Sequence, residues 1–452
     1  MDMLSDKGEE GLRKDLTEGP VMRSILMFTW PMLAGNLLQQ CYNMVDTLVV
    51  GKALGSGALA AVGSAFTLMT FLTSILIGLC MGAGAVCSIY FGRRDEEGMK
   101  ERMAAAAVLI GVAAVALQLI SGTALRGILT LMRTPAEIYG MTEGYMRIIL
   151  WGIFFVFLYN YFSYILRAVG NSLVPLIFLG LGTVCNIALD LLFVMVFHWG
   201  VEGAALATIL AQGLSGLGIM AYSLIKEPVF RLSRSHFNVP GRVMREVTQN
   251  AFAACIQQSI MNFGILMIQG LVNSFGTAVM AAFAVGVKID SFAYMPVQEF
   301  GNAFSVFVAQ NHGAGKSDRI KSGVLGAVKV VVGFSLAVSV LVMFFAPHLI
   351  QLFVNSGESE VIAIGAGYLR IEGAFYWGIG LLFLLYGYFR AVELPMMSVV
   401  LTVISLGTRV ALSYLMAPGL GCLVIWCSIP IGWILADVTG YIVYRRKQRR
   451  MA

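Results

Sequence analysis

Charge is scarce in this chain. Asp, Glu, Lys and Arg together make up 12% of its 452 residues, about half the share of an ordinary soluble domain. Ten-residue segments of strict alternation are missing too; the apolar runs are continuous and exceed twenty residues, which excludes a transmembrane β-barrel. Seven cysteines (41, 80, 87, 185, 255, 422, 427) form no CxxC pair, and four histidines (198, 236, 312, 348) are scattered, so neither a disulfide framework nor a metal site is expected. No phosphate-binding P-loop, GxSxG or HExxH motif occurs. An enzyme is therefore not expected, no catalytic residue is assigned, and transport without an ATP site is driven by an ion gradient or is passive. No cofactor and no nucleic-acid partner are expected; the net charge of +6 fits basic cytoplasmic loops. The first 23 residues mix acids and bases ahead of an apolar run too long for a leader's core, so no cleavable signal is expected.

What is abundant is apolar: 58% of residues are hydrophobic and mean hydropathy is +0.81. The pattern predicts an all-α polytopic membrane protein with twelve transmembrane helices near 24–50, 60–90, 103–127, 141–168, 173–198, 203–225, 246–274, 280–311, 324–348, 362–390, 395–417 and 421–444. The even-numbered loops and the termini hold most of the Lys and Arg, including Arg93, Arg94, Arg231, Arg234, Arg242, Arg245, Lys316, Arg319 and the Arg445-Arg446-Lys447 tail; the odd-numbered loops hold Lys52, Arg126 and Arg133. Positive-inside places both termini in the cytoplasm. The expected organisation is a cytoplasmic segment 1–23, an N-lobe 24–226, a cytoplasmic linker 227–245, a C-lobe 246–444 and a basic tail 445–452.

The halves repeat. Gly144-Tyr145-Met146-Arg147-Ile148 matches Gly367-Tyr368-Leu369-Arg370-Ile371, and Arg167-Ala168-Val169 matches Arg390-Ala391-Val392, at a shift of 223; Gly55 pairs with Gly276 and Gly92 with Gly313 at a shift of 221. Two six-helix lobes related by a pseudo-two-fold along the membrane normal, with the substrate path between them, follow from a parallel repeat, and favour a transporter over a channel or receptor.

Acids within apolar segments are costly, roughly 2.5–3.5 kcal/mol on insertion scales. Asp46 lies on a polar stripe with Asn36, Gln39, Gln40, Asn43 and Thr47, one turn after Tyr42. In the fifth span Thr183, Asn186 and Asp190 recur at three to four residues, and the sixth opens with Gly203-Ala204-Ala205-Leu206-Ala207-Thr208. Two carboxylates, an amide and a hydroxyl suit Na⁺; two adjacent carboxylates equally suit a shared proton. A purely structural polar network is the alternative. Pro31 deprives the first span of a backbone hydrogen bond, as a structural kink or as a hinge. In the second half, Met267 aligns with Asp46. The eighth span carries Lys288, Asp290 and Glu299; Lys288, Asp290 or both are read as members of a structural ion pair rather than substrate contacts, no role is assigned to Glu299, and Glu372, Arg147, Arg370, Arg409 and Asp437 are read as structural, with Arg409 set to balance an acid. The many Phe and Met (28 and 25) suit either a pocket for flat or cationic molecules or a lipid-facing surface.

Twelve spans in two repeats, Pro31 and Asp46 in the first span, and Asn186-x-x-x-Asp190 followed by Gly203 to Thr208 resemble the multidrug and toxic compound extrusion (MATE) transporters over nearly the whole chain, with a DinF-like branch closest. The resemblance implies drug/cation antiport by alternating access in a prokaryotic plasma membrane, with a small organic substrate, a monomer in the bilayer, and H⁺ or Na⁺ held at Asp46, Asn186, Asp190 and Thr208. It places Tyr42, Tyr145 and Asn160 along the same cavity, together with Gln39 and Asn43 of the first-span stripe. The NorM-like branch puts its acids in spans seven and ten, where this chain matches less well. A flippase for lipid-linked or amphipathic solutes is the runner-up, disfavoured by twelve spans and an acidic cavity.

Overall fold

The computed structural model describes residues 15–451 apart from 133 and 356; residues 1–14, Arg133 and the final Ala452 lie outside the described residues. Among the described residues there are thirteen helices and no strand: α1 Val21–Gly92, α2 Glu96–Leu131, α3 Ala136–Trp151, α4 Ile153–Ala168, α5 Leu173–Asp190, α6 Gly200–Lys226, α7 Gly241–Val272, α8 Thr277–Gly313, α9 Ser317–Gln351, α10 Ser359–Gly373, α11 Tyr376–Ala391, α12 Pro395–Leu420 and α13 Leu423–Met451. α1 has 72 residues, far more than the twenty or so that cross a bilayer, and it is interrupted at Gly55, whose φ of 84° and ψ of −176° are not helical. α3 with α4, and α10 with α11, are broken pairs bent by 43° and 51°. With α1 counted as two spans and each broken pair as one, the helices make the twelve crossings that hydropathy predicts. Large apolar side chains stand exposed along them, among them Leu131 at 84%, Leu415 at 80% and Phe344 at 76%, a surface that lipid rather than water solvates.

The repeat is written into the backbone as well as the sequence. Positive φ occurs at Gly55 and Gly276, at Arg94 and Gly315, and at Gly200 and Gly421, each pair 221 apart. It occurs again at Gly170 and Glu393, 223 apart. The broken pairs obey the same register: α3 begins at 136 and α10 at 359, α4 begins at 153 and α11 at 376. Glycine meets this demand without a Cβ clash at most of these sites; Arg94 and Glu393 meet it at a conformational cost that the surrounding turn must impose.

The chain forms two compact units, Met27–Cys255 with Asp15 and Leu16, and Ile256 to the carboxy terminus with Thr17–Leu26. α1 therefore begins in unit 2 and continues into unit 1 at Met27, and α7 begins in unit 1 and continues into unit 2 at Ile256. In unit 2, Lys316 Nζ donates to the Thr17 carbonyl at 2.9 Å, and Arg319 donates to the carbonyls of Gly19 and Glu18 at 2.9 and 3.0 Å. In unit 1 the segment before α7 docks on α2: His236 Nδ1 accepts from the Ser233 amide at 2.9 Å, and its Nε2 lies 2.8 Å from Glu97. Hydrogen bonds from His236 and from Lys100 hold the Glu97 carboxyl below the usual carboxylate range.

The start of α7 is pressed onto α1. A Cβ at Gly82 would stand 2.3 Å from the Asn250 carbonyl oxygen and 2.7 Å from Ala251 Cα, and one at Gly78 would stand 2.5 Å from Cys255 Cα. These are backbone atoms and cannot swing aside. Two small residues one turn apart thus permit a backbone approach of the small-xxx-small type. Gly82→Val is expected to destabilise the protein by about 3 kcal/mol and to lower its melting temperature in detergent. Gly122→Val, where nothing lies within 4 Å, serves as the control. Equal melting of the two variants would contradict this packing.

A buried carboxylate site in unit 1

α5 supplies Asn186 and Asp190 one turn apart on its buried face, and at Asp190 the helix widens into a π-helical segment, Leu191–Val196. Such widening shifts the register of the side chains beyond it and recurs at functional sites. α6 approaches closely because its opening turns are small: a Cβ at Gly203 would already meet Phe193 Cβ at 3.2 Å, and Ala204, Ala205 and Ala207 are fully buried. This brings Thr208 to Asn186, whose Nδ2 donates to the threonine Oγ1 at 3.5 Å. From α1, the Tyr42 hydroxyl lies 3.5 Å from the same oxygen. Tyr145 of α3, also buried, faces it too. Asp46, one turn after Tyr42, points its carboxyl to within hydrogen-bonding reach of Asp190.

Asp190 is 0% exposed. Neither of its oxygens, nor Asp46 Oδ1, nor Asn186 Oδ1, has a donor among the described residues. Two carboxylates at contact with no cation between them repel; two full charges about 4 Å apart oppose each other by roughly 4 kcal/mol at an effective dielectric near 20. Oxygen acceptors are in surplus here and donors are lacking. That is the donor set a hard monovalent cation or a proton satisfies.

The other residues singled out from the sequence lie outside this knot. Asn160 donates its amide to Val156 within α4 at 2.8 Å. Gln39 is exposed, and Asn43 is half-buried with its carbonyl accepting from Thr47 at 2.7 Å. Pro31 sits inside α1, which keeps helical geometry through it and breaks at Gly55 instead.

Unit 2 holds a second cluster. Asp290 of α8 and Glu372 of α10 are 2% and 3% exposed and lie within hydrogen-bonding reach of each other, with Tyr368 beside both and Arg409 of α12 close enough to act on both electrostatically. The Tyr376 hydroxyl donates to Asp290 Oδ1. Lys288 is exposed and joins no ion pair among the described residues, so the partners of Asp290 are an acid, two phenols and the Arg409 guanidinium. The signal in the sequence is Tyr368, Glu372 and Tyr376 at four-residue steps, which persists across the break between α10 and α11.

The sequence model of the MatE family matches residues 31–192 and 251–415, both halves of the repeat and most of the chain. The chain belongs to the MatE family. Among MatE relatives, a Bacillus subtilis protein named probable multidrug resistance protein YpnP is 30% identical over 436 residues, covering 95% of this chain and 96% of that one. A Shewanella oneidensis FAD transporter is 23% identical over 450 residues, covering 96% of each. Among solved structures, a MATE protein in its bent conformation superposes with a TM-score of 0.89 at 23% identity over 96% of each chain. A MOP-superfamily transporter from Pyrococcus furiosus does so at 0.88 and 24% identity over 98% of each; both likenesses concern the fold. As a MatE member the chain is a membrane transporter, not an enzyme.

Proposed function

We propose that this transporter is a secondary active multidrug exporter that moves cationic or amphipathic organic compounds in exchange for H⁺ or Na⁺ by alternating access. The Asp46–Asp190 pair carries the proposal. When one H⁺ or Na⁺ binds, the two carboxyls close on each other and share a single negative charge. When the ion leaves, the pair carries two buried negative charges, and an organic cation offsets the second of them in the ion's place. Ion and cargo thus compete for one charge, which is what antiport requires. The B. subtilis relative's name and the oxygen-rich donor set support the reading. The arrangement of Lys and Arg supports cytoplasmic termini in a prokaryotic plasma membrane, and a monomer of the DinF-like branch is the form proposed.

The test is efflux of a fluorescent cationic dye from vesicles holding the purified chain, with an H⁺ or a Na⁺ gradient imposed separately. Efflux driven by one gradient names the ion. A well-incorporated protein that moves no dye under either gradient sinks the proposal and makes a lipid-like or other organic cargo the leading reading.

Asp290 and Glu372 favour a second reading, in which unit 2 also binds the coupling ion. Asp290→Asn and Glu372→Gln are then expected to lower the number of ions exchanged per dye while dye binding is retained. Unchanged stoichiometry in both variants would leave these acids structural.

A further inference from the structure

The Asp437 carboxyl, with both oxygens inaccessible, belongs to neither cluster. Asp437 lies in α13, fourteen residues from the start of that helix at Leu423 and eight before Arg445, or roughly 21 and 12 Å along the axis. Its carboxyl packs against Gly378 of α11; a Cβ built there would meet Asp437 Oδ2 at 3.7 Å, and Trp433, one turn earlier on α13, fills the same contact. Neither carboxylate oxygen is accessible, and neither has a hydrogen-bond donor among the described residues.

The helices packed against α13 are α10, α11 and α12. From α11 the titratable group facing Asp437 is Tyr386, whose hydroxyl is engaged with Thr402 of α12. The charged groups of the other two that lie deep in the unit, Glu372 and Arg409, interact with Asp290 instead. Tyr376, which holds Asp290, and Gly378, which faces Asp437, are two residues apart and point to opposite sides of the first turn of α11. Asp437 is thus walled off from the acid pair by the helix that serves both.

An ionised carboxylate in such a place, without donor or counter-ion, costs several kcal/mol, and the usual outcome is that the group is neutralised. A metal cation would need several oxygen ligands around it, whereas the Tyr386 hydroxyl that faces this carboxyl is engaged with Thr402. We propose that Asp437 is a proton-binding residue of unit 2, midway along α13 and separate from the Asp290–Glu372 pair. The site goes beyond the antiport reading and stands without it, because it is recognised by protonation and not by efflux.

The experiment is infrared spectroscopy of the full chain in lipid vesicles across mildly acidic to mildly alkaline pH, comparing wild type with Asp437→Asn and Asp437→Glu. A carbonyl stretch of a protonated carboxylic acid is expected that is lost in Asp437→Asn, displaced in Asp437→Glu, and reversibly converted to carboxylate bands as pH rises. In parallel, dicyclohexylcarbodiimide, which reacts with protonated carboxyls in apolar surroundings, is expected to modify the wild-type peptide containing Asp437, less so at higher pH; this measurement needs no variant. A difference spectrum with carboxylate bands alone throughout overturns the proposal. A protonated band that never titrates also overturns it, by making Asp437 a fixed structural acid.

Discussion

Asp190→Asn is expected to reduce gradient-driven dye efflux to the level of vesicles without protein, and Asp46→Asn to do the same. Asparagine keeps the volume of the side chain and offers an amide to the acceptors around it, so the fold should persist and the variant should express. What it removes is the ability to gain and lose an ion. With one carboxylate gone, the remaining acid no longer faces a like charge, and the exchange of ion for cargo loses its driving force. Asn160→Ala is the comparison, since the Asn160 amide is spent on its own helix and its loss leaves the six-residue knot intact. Normal efflux by a well-folded Asp190→Asn protein would show that the coupling ion binds elsewhere, with Asp290 and Glu372 next to be tested. If both N-lobe variants still bind dye but no longer respond to either gradient, cargo recognition and ion coupling use different residues.

How far the sequence reveals this site depends on which interactions are local. Asn186 and Asp190 share a face of one helix, and Asp46 stands on a polar stripe in an apolar run; both are periodicities, so they are readable. Periodicity says which residues share a face but not what that face meets, and Gln39 shares the stripe of Asp46 while lying exposed. The meeting of Asp290 with Glu372 is tertiary, between α8 and α10, and the neighbouring Lys288 misdirects a reading by charge alone because it turns outward. The repeat was visible at Gly55 and Gly276. It was hidden at Arg94 and Glu393, because these residues adopt positive φ without being glycine, so residue identity carries no trace of the shared turn. The crossing of α1 and α7 from one unit to the other is likewise a matter of packing, and only the glycines at 78 and 82 hint at it.

The second large effect is structural and falls on the amino-terminal end of α7. Arg102 of α2 is nearly enclosed, with its side chain 6% exposed against 28% for Glu246. Its Nη2 donates to Glu246 Oε2 at 2.9 Å and to the Tyr90 hydroxyl at 2.7 Å, its Nη1 donates to the Gly98 carbonyl at 3.2 Å, and the guanidinium lies 3.9 Å from the Tyr90 ring centroid. Glu246→Ala leaves a buried cation with only the half-exposed Glu101 for charge balance, and should cost about 3 kcal/mol, the low end for breaking a buried pair. The measurement is thermal unfolding in detergent, read as a lowered midpoint together with faster proteolysis at the segment before α7. Replacing both partners, Arg102→Leu with Glu246→Leu, removes the stranded charge along with its desolvation cost and should recover much of the loss. If the double variant is instead as unstable as the sum of the two single ones, the ion pair itself is not what holds α7 to unit 1, and the glycine contacts at 78 and 82 carry that attachment alone.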